Sequence, residues 1–208
     1  MDTNTHWNFR WELGVKGMII GFAGPKRSGK DYAYNIIKNY FANENDSIVE
    51  RVAFADPIKQ KICEIFNLSL NDLEELKTKS QLQILCEKCS EYGNFTGRDL
   101  ITGIGMLMRS YDEHQFERYV GDIVKSNPNK IYICTDVRFQ SEVELIHSLG
   151  GFVVQIYRGV PYEGTETERG ISDYDYVLNN NEFFKDNIIE LVNIELVEYI
   201  SDNELLNI

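Results

Sequence analysis

The chain has 208 residues, of which 43% are hydrophobic and 26% charged, values that suit one soluble domain with a substantial core. Its formal net charge of −12 leaves no surplus of lysine and arginine for nonspecific binding to nucleic acid or an anionic membrane, although a few placed cations suffice for a mononucleotide. No apolar run approaches the roughly 20 residues of a membrane span, and the N-terminus lacks the basic start and apolar segment of a signal peptide, so the expected location is the cytoplasm.

In residues 1–17, Trp7, Phe9, Trp11, Leu13 and Val15 alternate with Asn8, Arg10, Glu12 and Gly14. This period of two predicts an extra edge strand or hairpin arm packed on the domain, with a partner-docking surface as the alternative. Met18–Ala23 is a short apolar run that reads as a buried strand, and Tyr32–Phe41 places Ala33, Ile36, Ile37 and Tyr40 at helical spacing. Between them, Gly24-Pro25-Lys26-Arg27-Ser28-Gly29-Lys30-Asp31 fits the phosphate-loop pattern G-x-x-x-x-G-K-[ST] except at the last position. Gly24 and Gly29 permit backbone conformations in which successive amides turn inward onto an anion. The helix N-terminus favours that anion, and Lys30 reaches its outer phosphates. Asp31 stands where a hydroxyl usually binds Mg²⁺. A carboxylate there is compatible with a triphosphate only with a metal between the like charges, which makes Asp31 the candidate metal ligand.

Downstream, Ile48–Ala55 contains a second strand, and Pro57 fits the first position of a helix with Asp56 as its N-cap. Lys59 and Lys61 lie near that helix start; either one of them points to a phosphate, or both belong to a solvated face. Residues 71–91 read as one or two helices covering the site. Residues 97–110 form a helical stretch with Arg98 and Arg109 at its ends, and the pattern continues through Phe116 and Val120 to Asn127 before Pro128. Arg98 and Arg109 are candidate phosphate ligands, since guanidinium makes paired bonds to phosphate oxygens; surface placement is the alternative for each. Lys130–Thr135 is a strand ending at Asp136-Val137-Arg138, which puts a carboxylate at the C-terminal sheet edge where a Walker B residue would stand. Glu142 falls on the first turn of the next helix, which Gly150-Gly151 closes. Phe152–Tyr157 is a strand leading to Arg158. Residues 162–175 are polar and read as a mobile lid or binding loop, and Tyr176–Leu178 and a terminal helix complete the chain.

Strands alternating with helices predict an α/β fold with a mostly parallel central sheet and helices on both faces. The four cysteines, Cys63, Cys86, Cys89 and Cys134, lack a second ligand pair for zinc and read as packing residues.

The phosphate loop, the Phe54-Ala55-Asp56-Pro57-Ile58-Lys59 turn, Asp136-Val137-Arg138, Arg158, and Thr167-Glu168-Arg169-Gly170-Ile171 before Asp175–Asn179 together resemble the bacteriophage deoxynucleoside monophosphate kinases, members of the P-loop nucleotide kinase superfamily. The resemblance runs from about residue 18 to the terminal helix and leaves residues 1–17 as an N-terminal extension. It implies a three-layer P-loop kinase domain over 18–208, with a helical substrate-cover insertion at about 57–127 and a lid-like loop at about 159–175. The implied reaction is transfer of the γ-phosphoryl group of ATP, with Mg²⁺, to a deoxynucleoside monophosphate for phage DNA synthesis. The resemblance gives ATP to Ser28, Gly29, Lys30, Asp31 and Tyr32, and turns Lys26, Ile58, Lys59, Arg138 and Glu168 to the deoxynucleotide. The residues themselves add Gly24 and Arg158 as candidates on the ATP side, Arg98, Arg109 and Glu142 as candidates on the acceptor side, and Asp136 beside Lys30 and Arg138 as candidates for the chemistry. Tyr32 departs from the small hydroxyl residue usual after G-K-D. The resemblance also suggests a homodimer, with nucleotides rather than nucleic acid or membrane as partners. The competing readings are a related kinase for phosphomevalonate or dephospho-coenzyme A, and a nucleotide-binding interaction protein docking through Trp7–Val15.

Overall fold

A computed structural model describes residues 18–41, 49–77, 96–159 and 171–205. In chain order the elements are β1 (Met18–Ala23), α1 (Lys30–Phe41), β2 (Val49–Val52), α2 (Asp56–Phe66), α3 (Leu70–Leu76), α4 (Gly97–Tyr111), α5 (Gln115–Ser126), β3 (Ile131–Val137), α6 (Gln140–Ser148), β4 (Phe152–Tyr157), β5 (Tyr176–Asn179) and α7 (Phe184–Leu205). They divide into two compact units, one holding the residues up to Ala53 and from Gly121 onward, the other Phe54–Val120. Among the described residues, no helix is long and apolar enough to cross a membrane.

The first unit is built on a five-stranded sheet of order β2-β3-β1-β4-β5, with every neighbouring pair parallel. Its middle strand, β1, is buried at every position because helices cover both faces of a parallel sheet. Pleating turns Met18, Ile20 and Phe22 to one face, where they join Ile131, Ile133, Val154 and Ile156 beneath Ile36, Ile37 and Phe41 of α1 and Phe184, Ile188 and Leu191 of α7. Gly21 faces the opposite side, under α6; a Cβ there would lie 2.6 Å from Ile146 Cδ1. As expected, α6 is closed by the glycine pair: the Gly150 and Gly151 amides donate to the His147 and Ile146 carbonyls at 2.9 and 3.0 Å.

The second unit packs α2, α3 and α4 with the beginning of α5, burying Ile58, Ile62, Leu73, Leu76 and Phe116. Two of its helices start with reciprocal caps, Ser69 with Asp72 and Thr96 with Asp99. The hydrogen bonds from Ser69 and Thr96 hold both carboxyls below the ordinary aspartate range. One expected cap is corrected. α2 begins at Asp56 itself, with Ala55 in the cap position and no side-chain cap bond, because the Asp56 carboxylate is engaged by Lys59 Nζ at 3.1 Å.

The C-terminal end of the expected lid lies within the described residues. Residues 171–175 are tied to the first unit: Ile171 is buried, and Asp175 Oδ2 accepts from the Val153 amide at 2.7 Å and meets His147 Nε2 at 2.9 Å. The tryptophan-rich arm, Cys86, Cys89 and residues 160–170 lie outside the described residues.

Candidate active site

The register of the sheet sets the site. Ala23, the last residue of β1, stands beside Val137 of β3 and Gln155 of β4, so the loop leaving β1 emerges between the C-terminal ends of both neighbours. That sheet edge is where open α/β folds bind ligands.

Backbone geometry explains the two glycines of the loop. Gly24 has φ of +135° and its Cβ would lie 1.9 Å from the Ile156 carbonyl oxygen, while Gly29 has φ of +116°. Both torsions are costly for any residue with a side chain, and at Gly24 the neighbouring strand also removes the space. Between them the chain turns tightly, the Ser28 amide donating to the Pro25 carbonyl at 3.2 Å, with Ser28 buried and Lys26 and Arg27 exposed. α1 then starts at Lys30. Its ammonium arches back over the loop, donating to the Gly24 and Pro25 carbonyls at 2.7 and 2.8 Å and to Ser28 Oγ at 3.5 Å. Such a loop, with amides at a helix N-terminus and a lysine above them, is an anion cradle.

Asp31 follows on the first turn of α1 and is exposed. Tyr32, the residue that departs from the resemblance, is 53% exposed and stacks on Phe184 of α7 with ring centroids 6.1 Å apart. Asp136 lies at the end of β3, one residue before the partner of Ala23. Cys134 Sγ donates to Asp136 Oδ1 at 3.2 Å, and burial, reinforced by that carboxylate, pushes the thiol well above its ordinary pKa. The cysteine is therefore a protonated neighbour that orients Asp136.

Arg138 is exposed just beyond β3. Glu142, a candidate deoxynucleotide ligand by its place after β3, is 2% exposed, and its Oε2 accepts from the backbone amides of Arg138 and Phe139 at 2.7 and 3.1 Å. It shapes the turn that presents Arg138. Arg158 is exposed at the end of β4, ahead of Gly159. The first unit thus brings Lys26, Lys30, Asp31, Asp136, Arg138 and Arg158 to one sheet edge. Asp31 and Asp136 are carboxylates, the hard oxygen donors that Mg²⁺ takes.

Ile58, Lys59, Arg98 and Arg109 all belong to the second unit. Ile58 is a core residue there, and a Cβ at Gly105 would lie 3.0 Å from its Cδ1. Arg109 is held internally, with Nη1 2.9 Å from Glu117 Oε1 and 3.1 Å from the Glu113 carbonyl, and its guanidinium over Phe116. Arg98 Nε is buried with no hydrogen-bond partner among the described residues. Sequence reading missed Lys77, which hydrogen-bonds Glu74. Burial lowers its pKa, with Lys59 and Arg98 acting in the same direction against Glu74. Lys59, paired with Asp56, and Arg98 thus lie near enough to the Glu74-paired Lys77 to act on its charge, a grouping that a lysine in a Leu/Lys/Glu-rich helix gave no sign of. Glu168 lies outside the described residues.

A parallel sheet of this order with a lysine-bearing phosphate loop after its central strand defines a P-loop nucleotide-binding fold. No family model matches the chain. It is, however, 32% identical over 177 residues, 79% of its length and 89% of the relative's, to a protein of Acanthamoeba polyphaga mimivirus provisionally named a deoxynucleotide monophosphate kinase. The chain belongs to that viral protein's family of P-loop kinases, and is a phosphotransferase. A solved structure of the APS kinase of Mycobacterium tuberculosis aligns with 88% of this chain and 99% of its own at 11% identity, with a TM-score of 0.47. The fold assignment rests on the sheet order and the loop, not on this likeness.

Proposed function

We propose that the protein phosphorylates a deoxynucleoside monophosphate with ATP, giving ADP and the deoxynucleoside diphosphate. The observation that carries the donor half is the phosphate loop, with Lys30 folded over it and Asp136 and Arg138 at the adjoining strand end. The acceptor half is supported by the name of the viral relative and by the Lys59, Lys77 and Arg98 neighbourhood, which suits a monophosphate dianion.

On this reading the donor triphosphate lies on the loop amides, with Gly24, Ser28, Gly29, Lys30, Asp31, Tyr32 and Arg158 around ATP. An acceptor phosphate oxygen forms the new bond to the γ-phosphorus as the bond to the β,γ-bridging oxygen breaks, and the electron pair leaves with ADP. No general base is needed, because the attacking oxygen is already largely ionised at neutral pH. Lys30 and Arg138 neutralise charge that spreads over the phosphoryl oxygens, the effect that dominates such transfers. Asp31 would hold Mg²⁺, with Asp136 as an outer-sphere or orienting group; the ion would supply charge neutralisation for the transfer. In the first unit Lys26, and in the second Lys59 and Arg98, are the groups proposed for the acceptor phosphate.

The test is ADP release with dTMP, dGMP, dCMP and dAMP, their ribose counterparts, phosphomevalonate and dephospho-coenzyme A offered singly. Selective turnover of one or more deoxynucleotides is expected. Turnover of only a non-nucleotide acceptor, or of none, would overturn the reading.

A further inference from the structure

The turn between β5 and α7 consists of three consecutive asparagines with different tasks. Asn179 Oδ1 accepts from the Gly159 amide at 3.3 Å, and Asn181 Oδ1 accepts from the Phe183 amide at 3.0 Å, so both serve their own surroundings. Asn180 reaches the phosphate loop: its Nδ2 donates to the Ser28 carbonyl oxygen at 2.8 Å. A carbonyl only accepts, so the nitrogen end of the amide must face the loop. The anchor is itself fixed, since the Asn180 backbone amide donates to the Tyr157 carbonyl at 2.8 Å, at the end of β4.

The Ser28 carbonyl and the Gly29 N–H share one planar trans peptide and point in opposite directions. Drawing the carbonyl onto Asn180 therefore aims the Gly29 N–H away from Asn180. The seat is tight as well, because a Cβ on Gly29 would lie 2.3 Å from Asn180 Nδ2. Glycine at that position has unusual torsional freedom, so a peptide without its brace has more than one orientation open to it.

We propose that Asn180 is a positioning residue for the donor phosphates, holding the Ser28–Gly29 peptide so that the Gly29 amide faces the bound triphosphate. This rests on the reading of the loop as the ATP site. Neither the phosphate-loop pattern nor the resemblance includes Asn180, which lies more than a hundred residues downstream.

The test compares Asn180→Ala, Asn180→Asp and Asn181→Ala in the full chain, measuring KM for ATP, KM for the acceptor, the dissociation constant of inorganic tripolyphosphate, and the melting temperature. Asn180→Ala is expected to weaken ATP and tripolyphosphate by roughly tenfold, the scale of one hydrogen bond, and to leave the acceptor KM unchanged. Asn180→Asp keeps the size but loses the donor and adds negative charge, so it should bind both anions more weakly still. Asn181→Ala should lower the melting temperature without moving either affinity. Wild-type protein binding both anions while Asn180→Ala or Asn180→Asp binds them equally well would overturn this inference alone. Equal affinity losses in Asn180→Ala and Asn181→Ala would overturn it as well, by reducing the brace to general stability. Failure of the wild type to bind either anion would overturn it together with the ATP reading.

Discussion

At the scale of residues, the loop separates what a motif specifies from what a fold adds. Lys30 and the two glycines were legible because their spacing alone implies a phosphate cradle, and the structure supplies the physical reason: positive φ at both glycines and the Ile156 carbonyl pressed against Gly24. Glu142, Lys77 and Asn180 were not legible in their structural roles. Each acts through a partner that spacing does not announce: the Arg138 amide, the Lys59 and Arg98 charges, and the Ser28 carbonyl. Two substitutions follow. Lys30→Ala should lower kcat by roughly 10²–10³-fold or more with the fold intact, since it removes charge neutralisation that matters most in the transition state. Arg138→Ala should lower kcat and raise the acceptor KM by roughly tenfold or more, the scale of a charge-assisted hydrogen bond, while moving the ATP KM little. Steady-state kinetics with each substrate varied in turn checks both, and equal effects on the two substrates would remove Arg138 from the acceptor side.

At the scale of elements, hydrophobic periodicity and turn residues located the strands and helices well, because buried parallel strands are continuously apolar and the helices carry apolar faces. Boundaries were harder to read where a side chain had two uses. Asp56 has the chemistry of an N-cap, yet it pairs with Lys59 one turn on, and the helix starts a residue early. Thr96 and Asp99 do form the reciprocal cap of α4, and Thr96→Ala should cost about 1 kcal/mol, lowering the melting temperature by about 2–4 °C. The caps also predict a pH dependence. The Asp72 and Asp99 carboxyls are held below their ordinary value of 3.8 in the folded chain, so their stabilisation is complete above that value and is lost as pH falls through the lowered ones. Acid melting curves should therefore drop more steeply for the wild type than for a Ser69→Ala, Thr96→Ala double variant.

At the scale of the molecule, the sheet unit carries the loop and its carboxylates, and the helical unit carries Lys59, Lys77 and Arg98. Burying Lys77 near two other cations lowers its pKa, which marks a charge kept at some expense to stability. Its folded pKa lies below the ordinary 10.5, so the unfolded chain binds more protons across that window and stability should rise as pH climbs through it. Lys77→Met should abolish that rise and equal or exceed the wild type in melting temperature near neutral pH, yet raise the acceptor KM; an unchanged KM would leave the cluster a structural feature only. The whole assembly is tested most directly by following label from γ-labelled ATP in the presence of each deoxynucleoside monophosphate, for the wild type and for Lys30→Ala. Label is expected in the diphosphate of at least one deoxynucleotide with the wild type, and to fall by orders of magnitude with the variant. No transfer to any deoxynucleotide, or equal transfer by a folded Lys30→Ala protein, would contradict the assigned reaction and site.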